Sequence, residues 1–447
     1  VLQRHHSWET RRKSRRKTMN HSQAMKLTAL TLAGAMTLSL GACGESSSNG
    51  GGADGGTTEI SVWSGFTEND GKVVQAIADE FNKSQDKYKV TIEQNPWNVI
   101  NDKLLSAISA KNGPDVLTYG PDTAKGFIDQ GAFVSVDDFY ADSSNETDVY
   151  RENVVEGGEV DGTHYGVPMG HAPYSVYFNK AIFDKAGITE DQYPKTWEDL
   201  AELAAKLTVD ENGDGTPEQY GIALADKDAG YLPTFLQAAG TDLVVDGKAN
   251  LDSDVAKETL TWIRDNFYAK KSSPTNLSLV DGQSLFISGK AAMFWIGPWI
   301  VNTAKEKGIE TGTFEMPKGP KEQVTQAAST YWYATSQIDG DEAKTAAAYA
   351  WMKYFNSKDN QIKWALEANY PANRTDITED EIKDNALIAQ INPYMDKTKL
   401  MLGSVPTGFA DVQSELNALG PKLSASTGDI SAMLKASNDK IQGYIEQ

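Results

Sequence analysis

Carboxylates, amides and aromatic rings are the side chains with chemistry to offer in this chain, and they are placed unevenly. Rings fall at expected strand ends or in Gly/Pro-rich loops: Trp63-Ser-Gly-Phe66, Asn95-Pro-Trp97, Tyr119-Gly-Pro-Asp122, Tyr231, Trp295-Ile-Gly-Pro-Trp299, Tyr331-Trp-Tyr333, Tyr370-Pro-Ala-Asn373 and Phe409. Asp, Asn and amide groups flank them. A ring face covers the apolar C–H side of a pyranose, while planar polar groups bond its equatorial hydroxyls. Together the loops suit a carbohydrate. Singly, each ring could equally belong to a core or a hinge, and Trp63 and Trp332 read as core. A second stretch, Asp210-Glu-Asn212-Gly-Asp214-Gly215-Thr216-Pro217-Glu218, has the D-x-N-x-D-G start of a calcium loop. Oxygen side chains at alternate positions converge on a cation, and Gly215 permits the sharp turn. Gly221 stands at loop position 12, where Glu is expected. Two readings stay open: a structural calcium held by Asp210, Asn212, Asp214 and Glu218, or a polar turn.

Other chemistries lack their parts. There is no GxSxG elbow, GxxxxGK[ST] phosphate loop or HExxH zinc motif. His164 and His171 lie close in sequence, without a Cys or third His beside them. The single cysteine excludes a disulfide framework and a Cys-based zinc site. With 62 Asp+Glu against 42 Lys+Arg, a formal −20, the chain lacks the basic footprint of a nucleic-acid binder. Carboxylates are abundant enough to supply a glycosidase pair, but at this acidity most are a solvated surface. No catalytic residue is assigned and no enzymatic activity is expected; a cell-surface glycoside hydrolase is the enzymatic alternative. No cofactor is required, beyond the possible calcium.

The elements that must position these groups follow from periodicity. Glu59–Trp63 and Tyr88–Glu93 alternate as strands, and Asp115–Tyr119 is a strand behind a turn. Residues 71–82 carry Val73, Val74, Ile77, Ala78 and Phe81 at helical spacing, and 97–110 carry Leu104, Leu105 and Ile108. The rhythm recurs with strands at 175–178, 220–224, 291–296 and 329–336. Helices are expected at 180–186, 197–207 (N-capped by Thr196), 255–268, 284–288, 341–355 and 360–368, with a mostly helical tail from 378. This predicts an α/β protein with a mainly parallel sheet, probed by ligands at the carboxyl ends of its strands.

The N-terminus stands apart. Residues 1–42 hold eight basic side chains and one acidic one, and an apolar run from Leu27 to Leu40 precedes Gly41-Ala42-Cys43. That reads as a secretory signal, and an over-long start before Met19 or Met25 is the expectation for the residues ahead of it. Leu-x-small-Cys resembles the bacterial lipoprotein box, which implies cleavage before Cys43 and diacylation of its thiol. Two chains on one cysteine anchor stably where one is marginal. Residues 44–58 are Gly/Ser-rich and read as a flexible tether. After the signal, 34 basic and 61 acidic residues remain, a formal −27.

The markers, in order, are EISVWSG; Gly113-Pro114-Asp115-Val116 with Tyr119 and Asp122; Tyr165-Gly166-Val167-Pro168 leading to Tyr177-Phe178-Asn179-Lys180; Lys195-Thr196-Trp197; Gly289-Lys290-Ala291-Ala292-Met293 with Gly297-Pro298-Trp299; and Tyr370-Pro371-Ala372-Asn373. Their order resembles the family 1 extracellular solute-binding proteins of carbohydrate ABC importers, the maltose-binding group, over residues 59–447. The resemblance implies a two-lobe, type II periplasmic-binding-protein-like fold. Lobe 1 would take 59–168 plus 328–375, and lobe 2 169–327 plus 376–447. It implies a lipid-anchored, monomeric receptor on the outer face of the cell membrane, which captures an oligosaccharide and hands it to an ABC permease. A same-fold receptor for a non-sugar solute (glycerol phosphate, iron or polyamine) is the other alternative. Carried over by position, Tyr119 and Trp299 are stacking rings, Asp122 a hydroxyl-binding carboxylate and Phe409 a further platform. Thr123 stands where the group has an arginine, so the sugar contacts differ. Asp228 and Tyr231 lie in the matching lobe-2 loop. The residue pattern itself adds Ser64, Trp97, Met169 and His171, all expected in loops lining the cleft.

Overall fold

Hydrophobic spacing on strands and helices does build the expected elements, and the computed structural model describes residues 56–67 and 69–446 of them. The signal segment, Cys43 and most of the tether lie outside these residues. Strands β1 (Thr58–Ser64), β2 (Tyr88–Gln94) and β3 (Val116–Tyr119) alternate with helices α1 (Asn69–Ser84), α2 (Trp97–Ser109) and α3 (Pro121–Asp129). β1 pairs in parallel with both β2 and β3. Val73, Val74, Ile77, Ala78 and Phe81 all face inward from α1, so the 3.6-residue spacing does what it predicts.

Two long strands follow different rules. β4 (Gly166–Pro173) is buried at every position. It pairs antiparallel with β9 (Thr325–Ala334), which also pairs antiparallel with β3 and in parallel with β10 (Thr398–Lys399). The first sheet is therefore mixed, in the order β10-β9-β3-β1-β2 with β4 also on β9. The expected parallel pairing holds for β1, β2 and β3, and β9 departs from it by opposing β3 and β4. β4 and β9 run in opposite directions between two hydrophobic cores, so at least one must oppose its neighbours.

The second sheet has the order β8-β5-β7-β6: Thr311–Phe314, Ser175–Asn179, Ala291–Ile296 and Tyr220–Ala223. It is mixed too, since β5 is antiparallel to both β7 and β8. Around it lie α4 (Lys180–Ala186), α5 (Trp197–Leu207), α6 (Tyr231–Ala238), α7 (Asp254–Ile263), α8 (Leu279–Ile287) and α9 (Ile300–Glu306). Thr196 caps α5 as expected: its hydroxyl accepts the Asp199 N–H, while the Asp199 carboxylate accepts the Thr196 N–H. The expected helix 255–268 is α7 followed by a π turn, Arg264–Tyr268. α8 starts five residues before the expected 284, at its Ser278 cap.

Two cores result. One gathers Ile60, Val62, Val74, Trp332, Trp351 and Phe355, including α10 (Glu342–Phe355) and α11 (Lys358–Ala368). The other gathers Val176, Tyr177, Trp197, Phe235, Phe294 and Leu416, including α14 (Phe409–Ser424) and α15 (Ser431–Ile445), which follow the short α12 (Glu379–Ile382) and α13 (Ala386–Ile391). Ile382, Ile388 and Ile391 of α12 and α13 pack with Ala365 of α11.

Three expected cleft-loop residues sit elsewhere. Ser64 ends β1 and is fully buried. Met169 is on β4 with no exposure, packed in the first core. His171, also on β4, is buried between strands: its Nε2 meets Thr398 Oγ1 at 2.7 Å and its Nδ1 meets Ser329 Oγ at 2.8 Å. Burial, with Arg151 nearby, pushes its pKa down to about 3, so it stays neutral. A Gly- and Pro-rich sequence that reads as loop is here a fully covered strand. Among the described residues no helix is long and apolar enough to cross a membrane.

Candidate functional site

Where β1 and β3 end, the chain turns into helices, and those turns face the second lobe across a cavity of about 740 Å³. The first lobe contributes Gly65–Thr67, Asp70, Trp97, Asn101, Tyr119–Thr123 and Tyr370. The second contributes Ala229, Val280 and Gln283 of α8, Trp299, Thr303 of α9, and Phe409, Ala410 and Gln413 of α14. Residues 327–330 of β9 form the floor, and Leu400–Leu402 close one side.

Two glycines decide where the rings go. A Cβ at Gly65 would lie 2.3 Å from the Trp97 indole. A Cβ at Gly297 would lie 2.0 Å from the Trp299 ring. Both tryptophans fold back over bare backbone, which is why the W-S-G and G-P-W motifs carry glycine. Trp97 stays 38% exposed, a large apolar ring at a cleft wall. It lies 6.5 Å from Tyr119 and meets Phe66 edge-on at 5.5 Å. Phe66 in turn meets Tyr370 edge-on, and Tyr370 stacks on Trp364 at 4.8 Å. Trp299 is half-buried and set edge-on to Tyr174 at 5.6 Å.

The polar groups are fixed among these rings. Tyr119 donates its hydroxyl to Asn101 Oδ1, and burial pushes its phenol pKa up. Asp122 sits in the first turn of α3, where the helix dipole favours a carboxylate. Its carboxylate accepts the Leu402 N–H from the opposite side of the cleft. Oδ1 is out of solvent contact and has no hydrogen-bond partner. Burial pushes Asp122 up to about 6, with the Lys125 charge and the Leu402 N–H working against that rise. Lys125 itself, one turn on, places its ammonium 4.9 Å over the Phe409 ring of α14.

Of the sequence-expected residues, Trp97, Tyr119, Asp122, Trp299 and Phe409 come together on this cavity. Ser64, Met169 and His171 do not, as described above. Tyr231 opens α6 but is buried in the second core, where its hydroxyl pairs with that of Tyr268 at 2.9 Å. Asp228 lies beside the cleft behind Ala229. It accepts the Gly230 N–H at 3.0 Å and bonds Gln326, and burial pushes it up to about 6. Phe66, Asp70, Asn101, Val280, Gln283, Thr303, Met401 and Gln413 line the cavity without having been expected. Only Phe66 had a signal, as the partner ring of Trp63-Ser-Gly-Phe66.

The Asp210–Glu218 loop lies apart from this cavity and is closed on itself. Asp210 accepts the N–H groups of Gly213 and Gly215, Asn212 that of Asp214, and Asp214 that of Thr216. Glu218 accepts from the Asn212 amide and the Glu211 N–H. Among the described residues no three His, Cys, Asp or Glu side chains gather as a metal site would require.

Comparison with known proteins agrees with this geometry. The maltotriose-binding protein of Pyrococcus abyssi is 24% identical over 403 residues, covering 87% of this chain and 83% of that one. The diacetylchitobiose-binding protein of Streptomyces coelicolor is 28% identical over 309 residues, covering 66% and 69%. In three dimensions, the maltose/maltodextrin-binding domain from Bdellovibrio bacteriovorus bound to maltotriose superposes with a TM-score of 0.73 at 21% identity, covering 87% of this chain and all of that one. That likeness gives the fold: two hinged α/β lobes around a cleft. The family described as bacterial extracellular solute-binding protein matches residues 65–362, two thirds of the sequence. This chain belongs to the bacterial extracellular solute-binding protein family.

Proposed function

We propose that this chain is a lipid-anchored receptor that captures an oligosaccharide in the 740 Å³ cleft and delivers it to an ABC importer permease. One observation carries the ligand class. Rings from both lobes, Trp97, Tyr119, Trp299 and Phe409, surround a cavity whose polar lining is carboxylate, amide and hydroxyl. Rings cover the C–H faces of sugars and the polar groups bond their hydroxyls. Relatives with maltotriose-, galactooligosaccharide- and diacetylchitobiose-binding names support the reading.

A relative named for sn-glycerol-3-phosphate also exists, 22% identical over 329 residues. The described residues lining this cleft include no Arg, Lys or His, and a phosphate wants such a partner. The lining therefore favours an uncharged or cationic ligand over a phosphorylated one. Calorimetry against malto-, galacto- and chito-oligosaccharides tests the proposal; binding by none of them would sink it. No reducing ends are expected when protein and bound sugar stand at equal concentration, and their appearance would instead support a hydrolase.

Cys43 enters the proposal as the attachment point, with a monomer held by the 44–58 tether outside the membrane. Cys43→Ser is expected to move the protein from the membrane fraction to the medium. Unchanged partitioning would remove the anchor from the proposal.

A further inference from the structure

Asp122 is an acid in an unusual position. It is on the wall of the cavity, Oδ1 is buried without a partner, and among the described residues no ion pair compensates it. Lys125, whose charge favours the ionised carboxylate without pairing with it, has its ammonium over the Phe409 ring. Asp70 is the other carboxylate on the lining. A buried acceptor left empty is costly, and the donor that offsets it best is a charged one. Three residues before Asp122 stands Tyr119, with the Trp97 ring beside it, and such ring faces also attract a cation.

We propose that Asp122 anchors a protonated amine on the bound carbohydrate, so that the cleft prefers an amino-sugar or amine-bridged oligosaccharide to its neutral counterpart. The inference rests on the carbohydrate reading and narrows it. Tyr331 and Tyr333, buried behind Asp122, supply no positive charge that would make the ligand's amine redundant. A neutral sugar offers Oδ1 a hydroxyl, which fills the acceptor without balancing its charge. A uronate would bring a second carboxylate to it and is expected to be excluded.

The test is calorimetry at pH 7 and low salt on two matched pairs. One pair is cellotriose and the fully deacetylated glucosamine trimer, which share a linkage and differ at C2. The other is maltotetraose and acarbose, a mimic of similar length with one bridging amine. The amine member of at least one pair is expected to bind about tenfold more tightly or better, as a close charge pair in a desolvated site would give. In Asp122→Asn that preference is expected to collapse to within about threefold, while neutral affinity changes less. Equal or tighter binding of both neutral members overturns the amine inference and leaves the carbohydrate reading standing. An amine preference that survives in Asp122→Asn overturns the assignment to this residue. Binding by none of the four ligands overturns the amine inference and counts against the carbohydrate reading as well.

Discussion

Trp97 and Asp122 sit on the same wall and ask opposite things of stability. The Trp97 ring is substantially exposed, so removing it uncovers little new core. Trp97→Ala is expected to leave the melting temperature nearly unchanged while weakening oligosaccharide binding by about tenfold or more, read by calorimetry. Asp122 is different because its folded-state pKa stands above its unfolded value. A neutral Asp122 stabilises the fold fully below about pH 4, and that contribution is lost as pH rises through about 6. Above that, the ligand-free protein carries a buried charge at its own expense. Asp122→Asn is therefore expected to stabilise the ligand-free protein by about 1–3 kcal/mol at pH 8 and by nothing at pH 4. Denaturant titration at the two pH values checks this; equal effects at both would count against a buried, raised Asp122. The residues legible here were the aromatic and acidic ones whose types suit sugars. Val280, Gln283, Thr303 and Met401 were not legible, because such side chains occur on any helix surface or loop, and only the facing of two lobes gives them a role.

Elements with a local cause were legible nearly to the residue. Trp197–Leu207 is set by its capping box and its apolar stripe, and both are visible in sequence. Thr196→Ala is expected to cost about 1 kcal/mol, measured by chemical denaturation. Gly297→Ala makes a sharper demand, since its Cβ has to displace the Trp299 ring. It is expected to impair ligand binding more than a simple loss of stability would, visible as a rise in Kd in protein that still melts cooperatively. Gly166–Pro173 was illegible for the complementary reason. Its strand is covered on both faces, so it shows no alternation, and Pro168, Gly170 and Pro173 imitate a loop. Pairing with β9 fixes it as a strand, and such pairing is a long-range fact. Met169 and His171 were misplaced with it.

At the scale of the whole molecule, β4 and β9 join the two cores and the cavity lies above them. Their register shifts between Thr330 and Tyr331, next to residues on the cleft floor. Irregular pairing is where a paired ribbon bends most easily. A ligand that touches both lobes binds the folded, closed arrangement and not the unfolded chain. At a hundredfold excess over its Kd it is expected to add about 2.7 kcal/mol, seen as a concentration-dependent rise in melting temperature. A bound sugar that left the melting temperature fixed would show that the unfolded chain binds it equally well. The two-lobe plan was readable from the order of many weak motifs, whereas the mixed pairing of both sheets was not, because direction is decided by how the chain returns between lobes.

The ammonium of Lys125 over Phe409 links α3 of one lobe to α14 of the other at the edge of the cavity. Its consequence is one of timing. A ligand arriving while the lobes are held together waits for that contact to part, so the fraction of time spent open sets how often an encounter succeeds. Lys125→Ala is expected to speed association in stopped-flow fluorescence more than it alters departure. Lys125 is thus expected to set how fast a ligand enters the cleft when that ligand is scarce.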